Sequence, residues 1–152
     1  MNNNRKKIRR ITKAFCDIDG AYDMISKKTG VKENMLWLLY ALDDGEFHSQ
    51  KQICQDWLFP KTTINTLIKE CEAAGYITLQ TIPGKKRELQ ICLTEHGKAY
   101  TQKVLHFVYQ AEEDALKKTM QNCSETFIAD IETYAKNLAY AFSSSSQIRK
   151  DA

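Results

Sequence analysis

The sequence predicts a mainly α-helical fold with one small β-hairpin. Three observations carry this prediction: apolar stripes at helical spacing near both ends of the chain, two short helical segments separated by a tight break, and two strand-like segments around a basic turn. A pair of short helices followed by a basic hairpin is the pattern of a winged helix-turn-helix. The 152 residues suit one domain with helical extensions, so we assign residues 1–152 to a single domain.

The chain begins with a predicted amphipathic helix over residues 1–30, which ends in basic residues and Gly30. This composition is typical of a helix C-terminus. The apolar stripe of this helix consists of Ile8, Ile11, Phe15, Ile18, Tyr22 and Ile25. A second apolar run, 35–42, carries apolar residues around most of its circumference, so we expect a buried central helix there.

Two short helices joined by a tight turn are expected next. Ser49 and Gln52 have the spacing of a capping box, in which the hydroxyl and the amide each satisfy a free backbone N–H. This helix places Ile53 and Trp57 on one face. Residues 58–60 break it, and the second helix is predicted at 60–75 with the proline in its first turn. Its expected inward residues are Ile64, Leu67, Ile68 and Cys71.

A β-hairpin follows the second short helix. Residues 77–82 have the composition of a strand, and residues 88–93 alternate between polar and apolar side chains. The segment between them combines Pro and Gly with three consecutive cations, so the hairpin is expected to have a positively charged tip. The winged lobe is therefore predicted at 35–97, with its wing at 83–88.

Two further helices complete the prediction. Thr94 is the expected N-cap of a long connecting helix, 98–118, and a last helix lies within 124–142, followed by a polar tail, 143–152. The stripe of the last helix consists of Ile128, Ile131, Ala135, Leu138 and Phe142. A lone winged lobe has too little surface to cover two apolar stripes, so the first and last helices are expected to form a homodimer interface. Folding back of these helices within one chain is the alternative.

Composition argues against several other classes of protein. The longest strongly apolar stretch is too short to span a bilayer, and no apolar signal core follows the basic N-terminus, so we expect a cytoplasmic protein without a membrane partner. Five scattered cysteines without a C-x-x-C pair predict reduced thiols and neither a metal site nor a cofactor. The sequence holds no phosphate-binding glycine loop, no H-E-x-x-H and no G-x-S-x-G, so no enzyme is predicted.

The second short helix has the residues that a DNA-reading helix needs. Its outer face is expected to carry Lys61, Thr62, Thr63, Asn65, Thr66 and Lys69. Small polar side chains allow close approach to base edges: threonine methyls suit thymine methyls, and Asn65 suits adenine. The two lysines suit phosphates, as do the three cations of the wing, which are Lys85, Lys86 and Arg87. Ordinary solvated surface is the alternative for both sets, since the net charge is only +3.

The central block resembles the MarR family of bacterial transcriptional regulators. The resemblance rests on residues 61–69, on Ala-Gly-Tyr-Ile at 74–77 and on Leu-Thr-Glu-His-Gly at 93–97, and extends more weakly from about 8 to 142. It implies a two-fold dimer on double-stranded DNA, with two recognition helices about 34 Å apart on a pseudo-palindromic operator. It also implies a sequence-specific regulator, more commonly a repressor than an activator.

The wing departs from the family pattern at one position. Family members carry an acidic residue two positions before an arginine that enters the minor groove. Spacing back from residues 93–94 places Arg87 on that arginine and Lys85 on the acid. The tip is therefore more positive than the pattern, which favours plain attraction to phosphates.

Two modes of control are suggested by the resemblance. Family members often hold a small aromatic ligand between the dimerisation helices and the DNA-binding lobe, and the aromatic residues available here are Phe15, Tyr22, Trp37, Tyr40 and Phe47. Ordinary core packing is the alternative for these five. Cys16 on the first helix is similar to the thiol of an oxidant-sensing branch. We nevertheless expect inert thiols, with Cys54, Cys71 and Cys92 wholly or partly buried. The alternative functions are thus a redox sensor through Cys16 and a winged helix that binds protein or RNA.

Overall fold

The computed structural model describes residues 3–82, 84 and 88–144. Its elements in chain order are α1 (Asn3–Thr29), α2 (Glu33–Leu42), β1 (His48–Ser49), α3 (Gln50–Asp56), α4 (Lys61–Ala73), β2 (Ile77–Thr81), β3 (Leu89–Leu93), α5 (Glu95–Met120) and α6 (Phe127–Ser144). The predicted mainly α-helical fold with a small wing is confirmed. The chain divides into two compact units, one ending at Tyr109 and one beginning at Gln110. The assignment of the whole chain to one domain stays a prediction.

α2 is buried on opposite sides, as its sequence predicts. Leu38, Ala41 and Leu42 face a cluster formed with α3, α4 and the sheet, whereas Leu36 and Leu39 face a cluster formed with the first half of α5. Each fully buried leucine contributes about 1.5–3 kcal/mol to folding. α2 therefore joins two apolar clusters and anchors the elements around it.

α3 begins with the predicted capping box. The backbone N–H of Gln52 donates to the Ser49 hydroxyl oxygen at 3.2 Å, and the backbone N–H of Ser49 donates to the Gln52 side-chain oxygen at 2.7 Å. The two residues predicted on one face of this helix differ in burial, since Ile53 is buried and Trp57 is exposed. The helix ends at Asp56, so Trp57 lies at its C-cap with 39% of its surface exposed and meets the rings of Trp37 and Tyr40.

α4 is shorter than the predicted 60–75. Pro60 has an extended backbone and occupies the N-cap rather than the first turn, because its carbonyl already accepts the Ile64 N–H at 3.1 Å. The other end is closed by Gly75 at φ +72. Its N–H donates to the Glu72 carbonyl and the N–H of Tyr76 donates to the Cys71 carbonyl, both at 2.9 Å. This pair of bonds is the Schellman motif, which stops the helix before β2.

The sheet has three antiparallel strands in the order β1-β3-β2. The hairpin pairs Ile77 with Leu93 and Thr81 with Leu89, close to the predicted strands. β1 was missed by the sequence analysis, because two residues are too few to show a period-two pattern. Residue 83 and the wing cations at 85–87 lie outside the described residues.

The segment 93–97 forms the junction between the sheet and α5. The Thr94 hydroxyl accepts the Gly97 N–H at 2.9 Å, which confirms Thr94 as the N-cap. The same hydroxyl donates to the Gly75 carbonyl at 2.7 Å, so it ties the start of α5 to the end of α4. A Cβ on Gly97 would lie 1.9 Å from the carbonyl oxygen of Tyr76. Only glycine fits at this crossing.

The C-terminal unit is helical throughout most of its described length. α5 continues to Met120 rather than ending near residue 118, and α6 reaches Ser144, where a polar tail was predicted from 143. The Ser143 hydroxyl donates to the Tyr140 carbonyl at 2.9 Å, so this serine stays within the last turn. The rest of the predicted tail, 145–152, lies outside the described residues. Within the described ranges, no helix has the length and apolar character that crossing a bilayer requires.

The Gly97 junction gives a direct stability prediction. Gly97→Ala should lower the free energy of unfolding by about 3 kcal/mol, because the added methyl would lie 1.9 Å from the backbone carbonyl oxygen of Tyr76. Gly20→Ala is the matched control: it lies within α1, has open space around its Cα and should gain about 0.5–1 kcal/mol from helix propensity. Chemical unfolding of both variants measures the contrast, and equal stabilities would contradict the close crossing.

Candidate nucleic-acid interface

The two faces of α4 differ sharply in burial. Ile64, Leu67, Ile68 and Cys71 are buried, as the sequence predicts. The predicted outer residues Lys61, Thr62, Asn65, Thr66 and Lys69 are exposed, and Thr63 is half-buried at the edge between the faces. A helix with one apolar face held in the core can offer only its opposite face to a partner.

The threonines on the outer face of α4 border a cavity. The Thr66 hydroxyl donates to the carbonyl of Thr62 at 3.1 Å, so its polar group is satisfied within the helix and its methyl remains for apolar contact. Thr62, Thr63 and Thr66 line a cavity of about 440 Å³ between α4 and the beginning of α2, together with the Lys32–Glu70 ion pair at 3.7 Å.

Asn65 has a side-chain partner that the sequence analysis did not find. The side-chain N–H of Gln50, the first residue of α3, donates to the side-chain oxygen of Asn65. Both residues, with Lys61, line a cavity of about 540 Å³ between α3, α4 and the hairpin. The same cavity is also lined by four apolar or sulfur-bearing side chains: Cys54, Phe59, Leu79 and Leu89.

The cations of α4 are available to a charged partner. Lys61 and Lys69 are exposed, and neither forms an ion pair with another residue in the described ranges. Lys85, Lys86 and Arg87 belong to the predicted site but lie outside the described residues. β2 ends at Thr81 and β3 begins at Leu89, on either side of the predicted wing at 83–88.

The five candidate effector residues are not all brought together. Tyr22 and Trp37 have ring centroids 4.4 Å apart, and Tyr40 follows at 5.9 Å from Trp37. Phe47 is 70% exposed and lines a cavity beside β3 and the beginning of α5, away from these three rings. Phe15 lies on α1 with 42% of its surface exposed. The aromatic cluster has two further members that were not predicted, Trp57 and Tyr109.

One edge of this aromatic cluster is fixed by a polar contact. The Tyr109 hydroxyl donates to the Asp43 carboxylate at 2.8 Å, and the ring of Tyr109 lies 5.5 Å from that of Tyr40. On another side, Trp37 and Trp57 line a cavity of about 320 Å³ with Asn34 and residues 58–60. The cluster therefore combines rigid aromatic walls with an adjoining space.

One histidine has the carboxylate partner that the sequence analysis did not recognise. The Nε2 of His48 lies 2.9 Å from both carboxylate oxygens of Asp44, and this hydrogen bond lowers the pKa of Asp44. Asp44 also accepts the backbone N–H of Glu46 at 2.9 Å, so the contact holds the loop that leads into β1. Across the described part of the chain, no three His, Cys, Asp or Glu residues are grouped to hold a metal ion.

The thiols differ in their environments. Cys71 is buried beside Met35, Cys54 and Cys92 are half-buried, and Cys16 and Cys123 are exposed. The partial or full burial predicted for Cys54, Cys71 and Cys92 is therefore confirmed. Burial raises the pKa of the Cys71 thiol to about 11, because a thiolate there would lose its hydration.

These elements define a winged helix-turn-helix protein with long helices at both ends. The MarR family model matches residues 29–88, which include the helix-turn-helix and the first part of the hairpin. A MarR family regulator from Neisseria meningitidis is 21% identical over 94% of this chain and 98% of its own, with a TM-score of 0.70. Residues 29–88 are thus similar to the MarR family, and the chain has the fold of MarR family regulators of known structure.

Two further solved structures have the same fold. BpsR from Bordetella bronchiseptica is 15% identical, covering 86% of this chain and 98% of its own, with a TM-score of 0.58. NadR, solved in complex with 4-hydroxyphenylacetate, is 10% identical, covering 85% of this chain and 89% of its own, with a TM-score of 0.67. No curated protein sequence matches this chain significantly.

The thiol environments predict which cysteines react. In a pulse of iodoacetamide at pH 8, Cys123 should be alkylated in the folded protein and Cys71 only after unfolding. A thiol with a pKa of about 11 is thiolate in about one molecule in a thousand at that pH, and burial blocks access further. Peptide mass spectrometry with and without guanidinium measures both sites. Rapid native labelling of Cys71 would show that the inner face of α4 is not packed as described.

Proposed function

We propose that this protein is a transcriptional regulator that binds duplex DNA as a homodimer, with α4 as its recognition helix. The observation that carries the proposal is the outer face of α4. It presents exposed Lys61, Thr62, Asn65, Thr66 and Lys69 from a helix whose opposite face is buried. A major groove admits one α-helix, and base edges are read by side chains of this size and polarity.

The polar and basic residues have separate roles in this proposal. Asn65 and the threonines contact base edges and carry the sequence preference, whereas Lys61 and Lys69 contact phosphates. The wing cations Lys86 and Arg87 add attraction to the backbone and the minor groove, an assignment that rests on the sequence. An RNA-binding or protein-binding winged helix is the competing function, and it assigns no duplex preference to these residues.

The dimer is proposed from apolar side chains left exposed on two helices. On α1, Ile8 and Ile18 expose about half of their surface at 48% and 53%. α6 has no buried residue among its described positions, although its stripe is apolar, with Leu138 and Phe142 exposed at 41% and 64%. Stripes of this kind are stable in water when a second copy covers them. The two-fold axis then sets the two copies of α4 about one DNA turn apart.

Control by a small aromatic molecule is the third part of the proposal, with repression as the mode of action. NadR was solved with 4-hydroxyphenylacetate, and the BpsR structure concerns regulation of its DNA binding by 6-hydroxynicotinic acid. In this chain the cluster of Tyr22, Trp37 and Tyr40 supplies aromatic walls for such a ligand. Stacking on these rings, and a shift of the lobe that they pack against, would couple ligand binding to release of the operator.

DNA affinity should separate the two roles of the interface. Lys61→Ala or Arg87→Ala should weaken all duplexes by similar factors and flatten the log–log salt slope by up to about 2 units, since each dimer loses two cations. Asn65→Ala or Thr63→Ala should leave that slope nearly unchanged and reduce discrimination about five- to a hundredfold at the affected base pair. Anisotropy titrations at several salt concentrations measure both. Reversed effects would exchange the two assignments, and inert variants would exclude this surface as a DNA interface.

The dimer makes a prediction about mass. Light scattering should give about twice the chain mass of 17.5 kDa at micromolar concentration. Ile131→Asp and Leu138→Asp should lower this value toward one chain, because each buries a charge in the proposed interface. Thr133→Asp lies on the other side of the same helix and serves as the control. A wild-type mass near one chain, or three variants that behave alike, would contradict the interface.

A further inference from the structure

We propose that Gln50 is a positioning residue that fixes the orientation of Asn65 and thereby sets the base preference of the recognition helix. This inference rests on the proposed function and names the residue that controls its specificity. The inference is based on a contact between α3 and α4, in which the side-chain N–H of Gln50 donates to the side-chain oxygen of Asn65. Fifteen positions separate the two residues, so the contact joins the two helices of the helix-turn-helix.

The backbone of Gln50 is held more firmly than that of an ordinary surface glutamine. The capping box of Ser49 and Gln52 fixes the first turn of α3, where Gln50 is the first helical residue. Ser49 is itself buried and pairs with Gln90 of β3, so the start of α3 is attached to the sheet. The Gln50 amide therefore extends toward α4 from a fixed point, and it is only partly accessible to water.

An isolated asparagine amide has two orientations that differ by exchange of its oxygen and its nitrogen. Adenine distinguishes them, because its N6 amino group must meet the oxygen and its N7 must meet the Asn N–H. A free Asn65 would populate both orientations before binding. With the Gln50 N–H directed at α4, as the structure has it, Asn65 turns its oxygen toward α3, because exchanging the Asn65 amide alone would bring two amino groups together.

The contact leaves Asn65 competent to read a base. An amide oxygen has two lone pairs, so the bond from Gln50 leaves one for the adenine amino group, and both N–H groups of Asn65 remain available. Asn65 is exposed, which a base-reading side chain requires. Gln50 therefore acts through Asn65, and its removal releases the amide to rotate while leaving the contact atoms in place.

Gln55 offers a matched control on the same helix. It is exposed, lines the same cavity and, within the described part of the chain, makes no hydrogen bond to α4. Replacing it removes the same kind of side chain from the same helix as replacing Gln50. Gln55 lacks the bond to Asn65, which is the interaction that the comparison tests.

The experiment compares two duplexes with a set of full-length variants. The first duplex is selected by the wild-type protein from a random pool, and the second has one A·T pair replaced in one half-site, at the position where Asn65→Ala loses its preference. The ratio of the two affinities should fall about five- to a hundredfold in Asn65→Ala. It should fall about three- to tenfold in Gln50→Ala, and the double variant should be no worse than Asn65→Ala alone, because the two residues act as one unit.

A charged pair of variants separates positioning from electrostatics. Gln50→Glu and Gln55→Glu add the same negative charge to α3, so both should weaken each duplex in a salt-dependent manner. Only Gln50→Glu should also lower the ratio of the two affinities. Its carboxylate attracts the Asn65 amino group and favours the orientation that does not suit adenine. In the free protein, Asn65→Ala should shift the side-chain amide resonances of Gln50 in an NMR spectrum and leave those of Gln55 unchanged.

The outcomes distinguish this inference from the proposed function. A wild-type protein that selects no duplex overturns the proposed function and this inference with it. Two results with a selective wild-type protein overturn only the positioning role. In the first, Gln50→Ala leaves the ratio of the two affinities unchanged. In the second, the effects of Gln50→Ala and Asn65→Ala on this ratio simply add.

Discussion

The burial of one face of α4 is the constraint on which the rest of this structure depends. Ile64 and Cys71 are fully buried, and Leu67 and Ile68 are nearly so, against a cluster that includes α2. Four core side chains fix the rotation of α4 about its own axis, and this determines which residues face outward. The polar residues of α4 are thus presented together because the apolar ones are held, and the proposed reading of DNA follows from core packing.

The ends of α4 are fixed by short-range bonds that hold its position along its own axis. Pro60 and the turn before it set the beginning, and the Schellman motif at Gly75 sets the end. Thr94 then connects this end to α5, where the absence of a side chain at Gly97 lets the two segments cross. α2 contributes to both apolar clusters of the N-terminal unit and carries Trp37 and Tyr40 of the aromatic cluster. A shift of α2 caused by a ligand at these rings would therefore also displace α4, which packs against α2. This is the physical basis for the proposed control by an aromatic ligand.

The structure follows the predictions where one local rule decides it. The capping box at Ser49, the N-cap at Thr94 and the buried face of α4 each follow from side-chain chemistry within a few residues. The predictions failed where distant contacts decide. β1 exists because β3 offers it a partner, and the partnership of Gln50 with Asn65 depends on how two helices meet. Trp57 was predicted on the same helix face as Ile53, but the helix ends at Asp56, and the ring of Trp57 meets an aromatic cluster that includes α2 residues. No local pattern encodes such pairings.

The central claim is that the outer face of α4 contacts duplex DNA, and amide hydrogen exchange with and without a selected duplex tests it most directly. The full-length protein should bind the duplex with new protection concentrated in residues 61–69 and in the hairpin, and with little change on the outer surface of α6. The buried bonds of α4 should exchange slowly in both states, since its inner face is packed before DNA arrives. A bound duplex that protects other parts of the chain and leaves residues 61–69 unchanged would contradict the account.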